Sequence, residues 1–131
     1  MKKIILVSFL ILAAGALLFS TAVYSWNGMT IRMHIKTARE AYPGNAEEAL
    51  IAMLRDTARS TYVRTHTAIW TLGQIRSEKA MPLLQELFLD DPDGTTCYGK
   101  HDSLLCQYEI HKAIRSIEHQ RLFAHGHLRK H

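Results

Sequence analysis

The chain has 131 residues, 47% hydrophobic and 21% charged, with 16 Lys and Arg against 12 Asp and Glu. This length, ordinary hydrophobicity and only seven Gly and three Pro exclude a multidomain enzyme, a disordered tail and a collagen-like fibre. Charge is unevenly placed: the first 25 residues hold a long apolar run and no acid, and every Asp and Glu lies at Glu40 or beyond, so residues 1–25 and 26–131 are read separately.

After Lys2 and Lys3, residues 4–24 carry no charge and only Ser8, Ser20 and Thr21 as hydroxyl interruptions. As a helix this stretch rises roughly 30 Å, the thickness of a bilayer's hydrocarbon core. The paired lysines stay cytoplasmic and direct the remainder across the membrane. Two outcomes fit: an uncleaved single-pass anchor, which the length of the apolar run favours, or a signal cut after the small residues near Ala22 or Ser25, releasing a secreted or periplasmic protein. Either places residues 26–131 outside the cytoplasm. In an oxidising compartment Cys97 and Cys106 read as a disulfide, because their spacing lacks the close Cys pair of a zinc knuckle. By chain-entropy arguments closing that loop contributes about 2–3 kcal/mol.

Beyond Trp26-Asn27-Gly28, expected to end the apolar helix, periodicity is helical throughout. Residues 30–41 place Ile31, Ile35, Ala38 and Tyr42 at helical spacing, although Ile31, Met33 and Ile35 also alternate as a short strand would. Tyr42-Pro43-Gly44-Asn45 is a break, and Asn45 with Glu48 forms a capping box for a helix from Ala46 to about Asp56 that buries Leu50, Met53 and Leu54. Residues 61–76 carry Val63, Ala68, Ile69, Leu72 and Ile75 on one stripe. Ser77 is expected to cap a helix to about Asp90, with Pro82 near its start and Leu83, Leu84, Leu87 and Phe88 inward. Asp90-Asp91-Pro92-Asp93-Gly94 stops it. A polar loop follows, then a last helix from Ser103 to about Phe123 presenting Leu104, Leu105, Tyr108, Ala113, Ile114 and Ile117, and a basic, His-rich end.

Two internal shifts align these helices. A shift of 45 lays His66, Ala68, Ile69 and Leu72 over His111, Ala113, Ile114 and Ile117, and a shift of 34 lays Leu50, Met53, Leu54 and Asp56 over Leu84, Leu87, Phe88 and Asp90. Two helices per unit at this period mark an α-solenoid. Arg64, Ala68-Ile69-Trp70-Thr71-Leu72-Gly73-Gln74-Ile75, Ser77-Glu78-Lys79-Ala80-Met81-Pro82-Leu83-Leu84, Leu87 and Asp90-Asp91-Pro92 resemble a HEAT-like repeat of the phycobilisome-lyase type. The resemblance spans about residues 64–92. It departs in two places: Val63 stands one position too far from Leu72, and Glu118 occupies a position where Gly is usual. It implies an all-α, short solenoid of HEAT-like hairpins behind the N-terminal membrane or signal helix. For function it implies a binding surface, since the bilin-acting relatives' pocket residues have no counterpart here.

No nucleophile elbow, metalloprotease, P-loop or dinucleotide motif is present, so no catalysis and no cofactor are expected. Asp91-Pro92-Asp93-Gly94-Thr95 lacks the acids of a calcium loop and reads as an acidic turn, and Glu47-Glu48 reads as a favourable charge at a helix N-terminus. The partner-binding candidates are Trp70, as an anchor or as a wedge between repeats, with Arg64, Thr67, Thr71 and Gln74 as a polar row on its helix. The competing function is cell-envelope metal binding through His119, His125, His127 and His131, for which imidazoles suit zinc, nickel or copper. Without Lys2 and Lys3 the charge is +2, from 14 basic and 12 acidic residues, and residues 111–131 hold five Lys and Arg against one Glu. Such an end attracts anionic lipid or an acidic partner, while export disfavours nucleic acid. Two hairpins bury little surface, so a protein partner or a second copy is expected to complete the molecule.

Overall fold

The computed structural model describes residues 2–95 and 104–128, with side chains described within 3–95 and 104–120. Every regular element among them is helical. In chain order these are α1 (Lys2–Ala41), α2 (Ala46–Arg55), α3 (Thr61–Val63), a π-helical segment (Arg64–Ile69), α4 (Trp70–Gln74), a 3₁₀ turn (Glu78–Ala80), α5 (Met81–Leu87) and α6 (Gln107–Leu128). They divide into two units, residues 1–33 and 34–131.

The first unit is helical from Lys2 onward, including Trp26-Asn27-Gly28, which does not end the helix as its residues suggested. A lone Gly costs a helix only about 1 kcal/mol, and no Pro follows to remove a donor. Its apolar side chains lie open, with Ile4, Leu12 and Phe19 each more than 70% exposed. A core helix of a soluble protein is mostly buried. This one has an 18-residue window of mean hydropathy 2.5 and no burial, and is long and apolar enough to span a membrane or to serve as a signal sequence.

The second unit begins with the last turns of α1, where the strand-like alternation of Ile31 to Ile35 is helical. From there Ile35 and Ala38 join a core made of Leu50, Met53 and Leu54 from α2, Ala68, Ile69 and Leu72 from residues 61–74, Leu83 and Leu84 from α5, and Ile110, Ala113, Ile114 and Ile117 from α6. Helix α2 opens with the expected box: Glu48 N–H donates to Asn45 Oδ1 and Asn45 N–H to Glu48 Oε2, both at 3.0 Å. That charge-assisted bond, with Lys79 at 3.6 Å, holds the Glu48 carboxyl below its usual range.

Residues 61–74 form one helix with a π segment inside it, seen in the i to i−5 bond from Trp70 N–H to Thr65 O. A π bulge takes up one extra residue in an α-helix. The displaced spacing between Val63 and Leu72 is accommodated there, and both Ala68 and Leu72 still face the core. Gly73 lies inside this helix. A Cβ at Gly73 would stand 2.9 Å from Ala113 Cα, so its bare backbone is what lets α4 pack directly on α6. The helix ends at Gln74, and the turn beyond it runs through Arg76, at φ 53, with Arg76 N–H donating to Gly73 O and Ser77 N–H to Leu72 O. This is the Schellman arrangement, with arginine in the left-handed position that usually takes Gly.

Three boundary expectations are corrected. Ser77 does not cap with its side chain: its hydroxyl is buried and has no hydrogen-bond partner among the described residues, because the backbone bonds of the Schellman turn already make the connection. Helix α5 stops at Leu87 rather than near Asp90, since the buried Gln107 side chain donates to Leu87 O at 3.2 Å and accepts from Leu89 N–H at 2.7 Å. Helix α6 starts at Gln107, not Ser103, so Leu104 and Tyr108 are exposed while Ile110 fills the core position. The acidic turn holds as read: Asp91 Oδ1 accepts from both the backbone N–H and the hydroxyl of Thr95, each at 3.1 Å.

Candidate functional site

The π segment and α4 carry all five residues proposed to touch a partner, and the structure separates them. Thr71 is fully buried and shares a 2.8 Å hydrogen bond with His34 Nδ1, so it takes no part in an exposed row. Arg64 is half-buried, its Nε donating to Leu54 O at 2.7 Å across the turn from α2. It satisfies a carbonyl at the end of α2 that has no partner within its own helix. Thr67 is half-buried, and Gln74 is exposed.

Trp70 is half-buried, with one edge against the His34 ring at 5.5 Å and 78°. Its other surroundings are a small cleft of about 60 Å³ between α4 and α6, lined also by Gly73, Gln74, Glu109, Lys112 and Ala113. The floor of that cleft is the Gly73–Ala113 contact, and Ser116 Oγ closes one end by donating to Gly73 O at 3.0 Å. Trp70 is therefore neither sealed in the core nor free on the surface. Its ring wall faces a recess with a polar rim.

Burial pushes the His34 imidazole below its ordinary range and so favours the neutral ring that bonds to Thr71. His34 and its contacts to Thr71 and Trp70 were not singled out in the sequence, where nothing in its spacing distinguishes it from a surface histidine. The same holds for Gln107 and Ser116, whose partners lie 18 to 43 residues away. A further group at the α1–α2 turn joins Tyr42, whose hydroxyl donates to Asp56, and Arg59, whose Nε donates to Tyr42 Oη at 3.2 Å. The Tyr42 bond is the largest influence holding the Asp56 carboxyl below its usual range.

Of the cysteines, Cys106 is buried beside Thr65, whose hydroxyl oxygen accepts from Cys106 N–H at 3.3 Å, and Cys97 lies outside the described residues. Of the proposed metal-binding histidines, His119 is exposed on α6, His125 and His127 fall on the helical backbone of α6 beyond the described side chains, and His131 lies outside the described residues. Among the described residues no three His, Cys, Asp or Glu side chains are grouped to hold a metal ion. Compared with protein-family models, curated proteins and solved structures, the chain gives no significant match.

Proposed function

We propose that the protein is a non-catalytic adaptor, held at a membrane by residues 4–24 or exported by them, whose helical unit binds a protein partner. The observation that carries this reading is Trp70, half-exposed over a cleft whose floor is Gly73 against Ala113 and whose rim is Gln74, Glu109 and Lys112. A large aromatic beside a polar-rimmed recess supplies the concentrated apolar contact on which interfaces depend. In this reading the unit is a short HEAT-like solenoid. Supporting it, residues related by the 45-residue shift share their surroundings: Ala68 and Ala113, Ile69 and Ile114, and Leu72 and Ile117 are buried. His66 and His111 each lie against an aromatic ring, Tyr62 and Phe88. Arg64 and Gln107, each near the start of a helix, reach back to a terminal carbonyl of the helix before. In an oxidising compartment Cys97 and Cys106 form a disulfide, Cys106 standing immediately before α6.

The test is co-purification of the full chain from membranes, with mass spectrometry of bound proteins and of the mature N-terminus. A defined partner is expected, retained by the native protein and reduced about tenfold or more when Trp70 is replaced by Ala, the usual loss at an aromatic anchor. A chain that isolates alone at all protein concentrations, with Trp70→Ala indistinguishable from it, overturns the reading. Peptide mapping without reductant is expected to recover Cys97 and Cys106 in one linked fragment.

A further inference from the structure

On the outer side of α6 lies a second, larger cleft of about 600 Å³, lined by Arg76, Tyr108, His111, Lys112, Arg115, Ser116 and His119. No carboxylate lines it among the described residues. Six of these residues come from α6 at positions 108, 111, 112, 115, 116 and 119, successive turns of one face that extend over about 16 Å. The seventh, Arg76, reaches it from the turn after α4. The acids on that helix are Glu109, paired with Lys112 at 2.8 Å, and the exposed Glu118, and Lys112 also sits 4.6 Å above the Tyr108 ring. Arg76 and Arg115 have no ion pair among the described residues.

Arg76 carries a second observation. Its φ of 53 is the left-handed conformation that every side chain except glycine's resists. Glycine at this position would make the turn at lower cost, yet the residue is an arginine whose side chain lines the cleft. Strain kept where a simpler residue would relieve it points to a role for the side chain.

We propose that this cleft binds an acidic segment of the protein partner, its carboxylates set at successive turns or alternate residues to meet Arg76, Lys112 and Arg115. The proposal rests on the adaptor reading and deepens it, since the cleft shares Lys112 and Ser116 with the Trp70 recess and so continues it. The shared residues favour the partner that fills the Trp70 recess as the occupant, over a free anion or a lipid surface.

The experiment uses the full chain in discs of phosphatidylcholine and a fluorescent peptide of alternating Glu and Ala, with the matching Gln and Ala peptide as control. The Glu peptide is expected to bind at least tenfold more tightly than the control, with the difference shrinking as salt rises from about 0.05 to 0.5 M. Arg115→Gln and Arg76→Gly are each expected to weaken binding about threefold to fivefold, and the double variant roughly tenfold or more. Arg76→Gly removes the guanidinium from a position that favours glycine, so its loss of binding is not attributable to unfolding, and a thermal melt verifies this. Equal binding of the two peptides, or a double variant that binds as the native chain does, overturns the proposal. So does binding abolished by millimolar inorganic phosphate, which marks a point-anion site, or attachment seen only to discs containing phosphatidylglycerol, which marks a lipid surface. Capture of the membrane partner separates the two readings: a partner held equally by the native chain and the double variant removes the acidic-segment proposal and leaves the adaptor, whereas a native chain that captures no partner removes the adaptor.

Discussion

Arg76 and Gly73 show how two neighbouring residues divide the work at a helix end. Gly73 is spent on close approach to Ala113, and Arg76 takes the left-handed turn that a glycine usually fills. Arg76→Gly is expected to stabilise the fold by about 1 kcal/mol, read as a raised chemical-denaturation midpoint with unchanged slope. Gly73→Ala is expected to destabilise by roughly 1–3 kcal/mol, because the backbone of Ala113 stands in the way. Ala113→Gly in that background recovers only part of the loss, since the contact to the Cα at 2.9 Å persists. His34, ten residues beyond the apolar stretch, sets a pH response. Its folded pKa is lowered, so the unfolded chain binds the proton more readily, and the stability this contributes is full above the unfolded value of about 6.5 and is lost as pH falls below it. Asp56 and Glu48 are lowered as well and act in the same direction, their contribution present above about pH 4 and lost under stronger acid. Thermal melts are therefore expected to weaken in two stages on acidification, and His34→Gln to remove the upper stage. A melt that is flat between pH 7 and 5 in the native protein contradicts this.

At the scale of elements, the π segment and the reach of Gln107 decide how the helices meet. Because the π segment holds one residue more than an α-helix would, deleting Thr67 is expected to convert it to regular helix and leave Ala68 to Leu72 facing the core. Deleting Ala52 from α2 instead turns Met53 and Leu54 by about 100° away from the core and is expected to unfold the unit. Circular dichroism and a urea titration of the two deletions compare them directly. Gln107→Ala leaves Leu87 O and Leu89 N–H without their partner and is expected to cost about 1–3 kcal/mol, with Gln107→Glu recovering only the bond from Leu89 N–H. Elements were legible where their determinants are local. The capping box of α2, Pro82 at the first turn of α5 and the inward faces of α2 and residues 61–74 all follow from spacing alone. The early end of α5 and the late start of α6 were not, because one glutamine 18 to 20 residues away competes for the backbone groups at both.

For the whole molecule, charge and hydropathy mark a change at about residue 25, whereas the structure divides between residues 33 and 34, within α1. The run without charge across 4–24 lies in a helix long and apolar enough to span a membrane or to serve as a signal sequence. An anchor is expected to stay with membranes through alkaline extraction, and a cleaved signal to leave a soluble mature chain beginning near residue 23 or 26. In the packed unit, composition and period determined that it is helical and which residues are apolar and inward. Tertiary structure alone decided that Thr71 belongs to the interior with His34, that Trp70 is left half-open, and that Arg76 joins the cations of α6 in one cleft. The physical reason is range. Caps, breakers and hydrophobic stripes act within a few residues and can be read from spacing, whereas a site is assembled by side chains from separate helices, whose meeting depends on how closely two backbones, here those of Gly73 and Ala113, are able to approach.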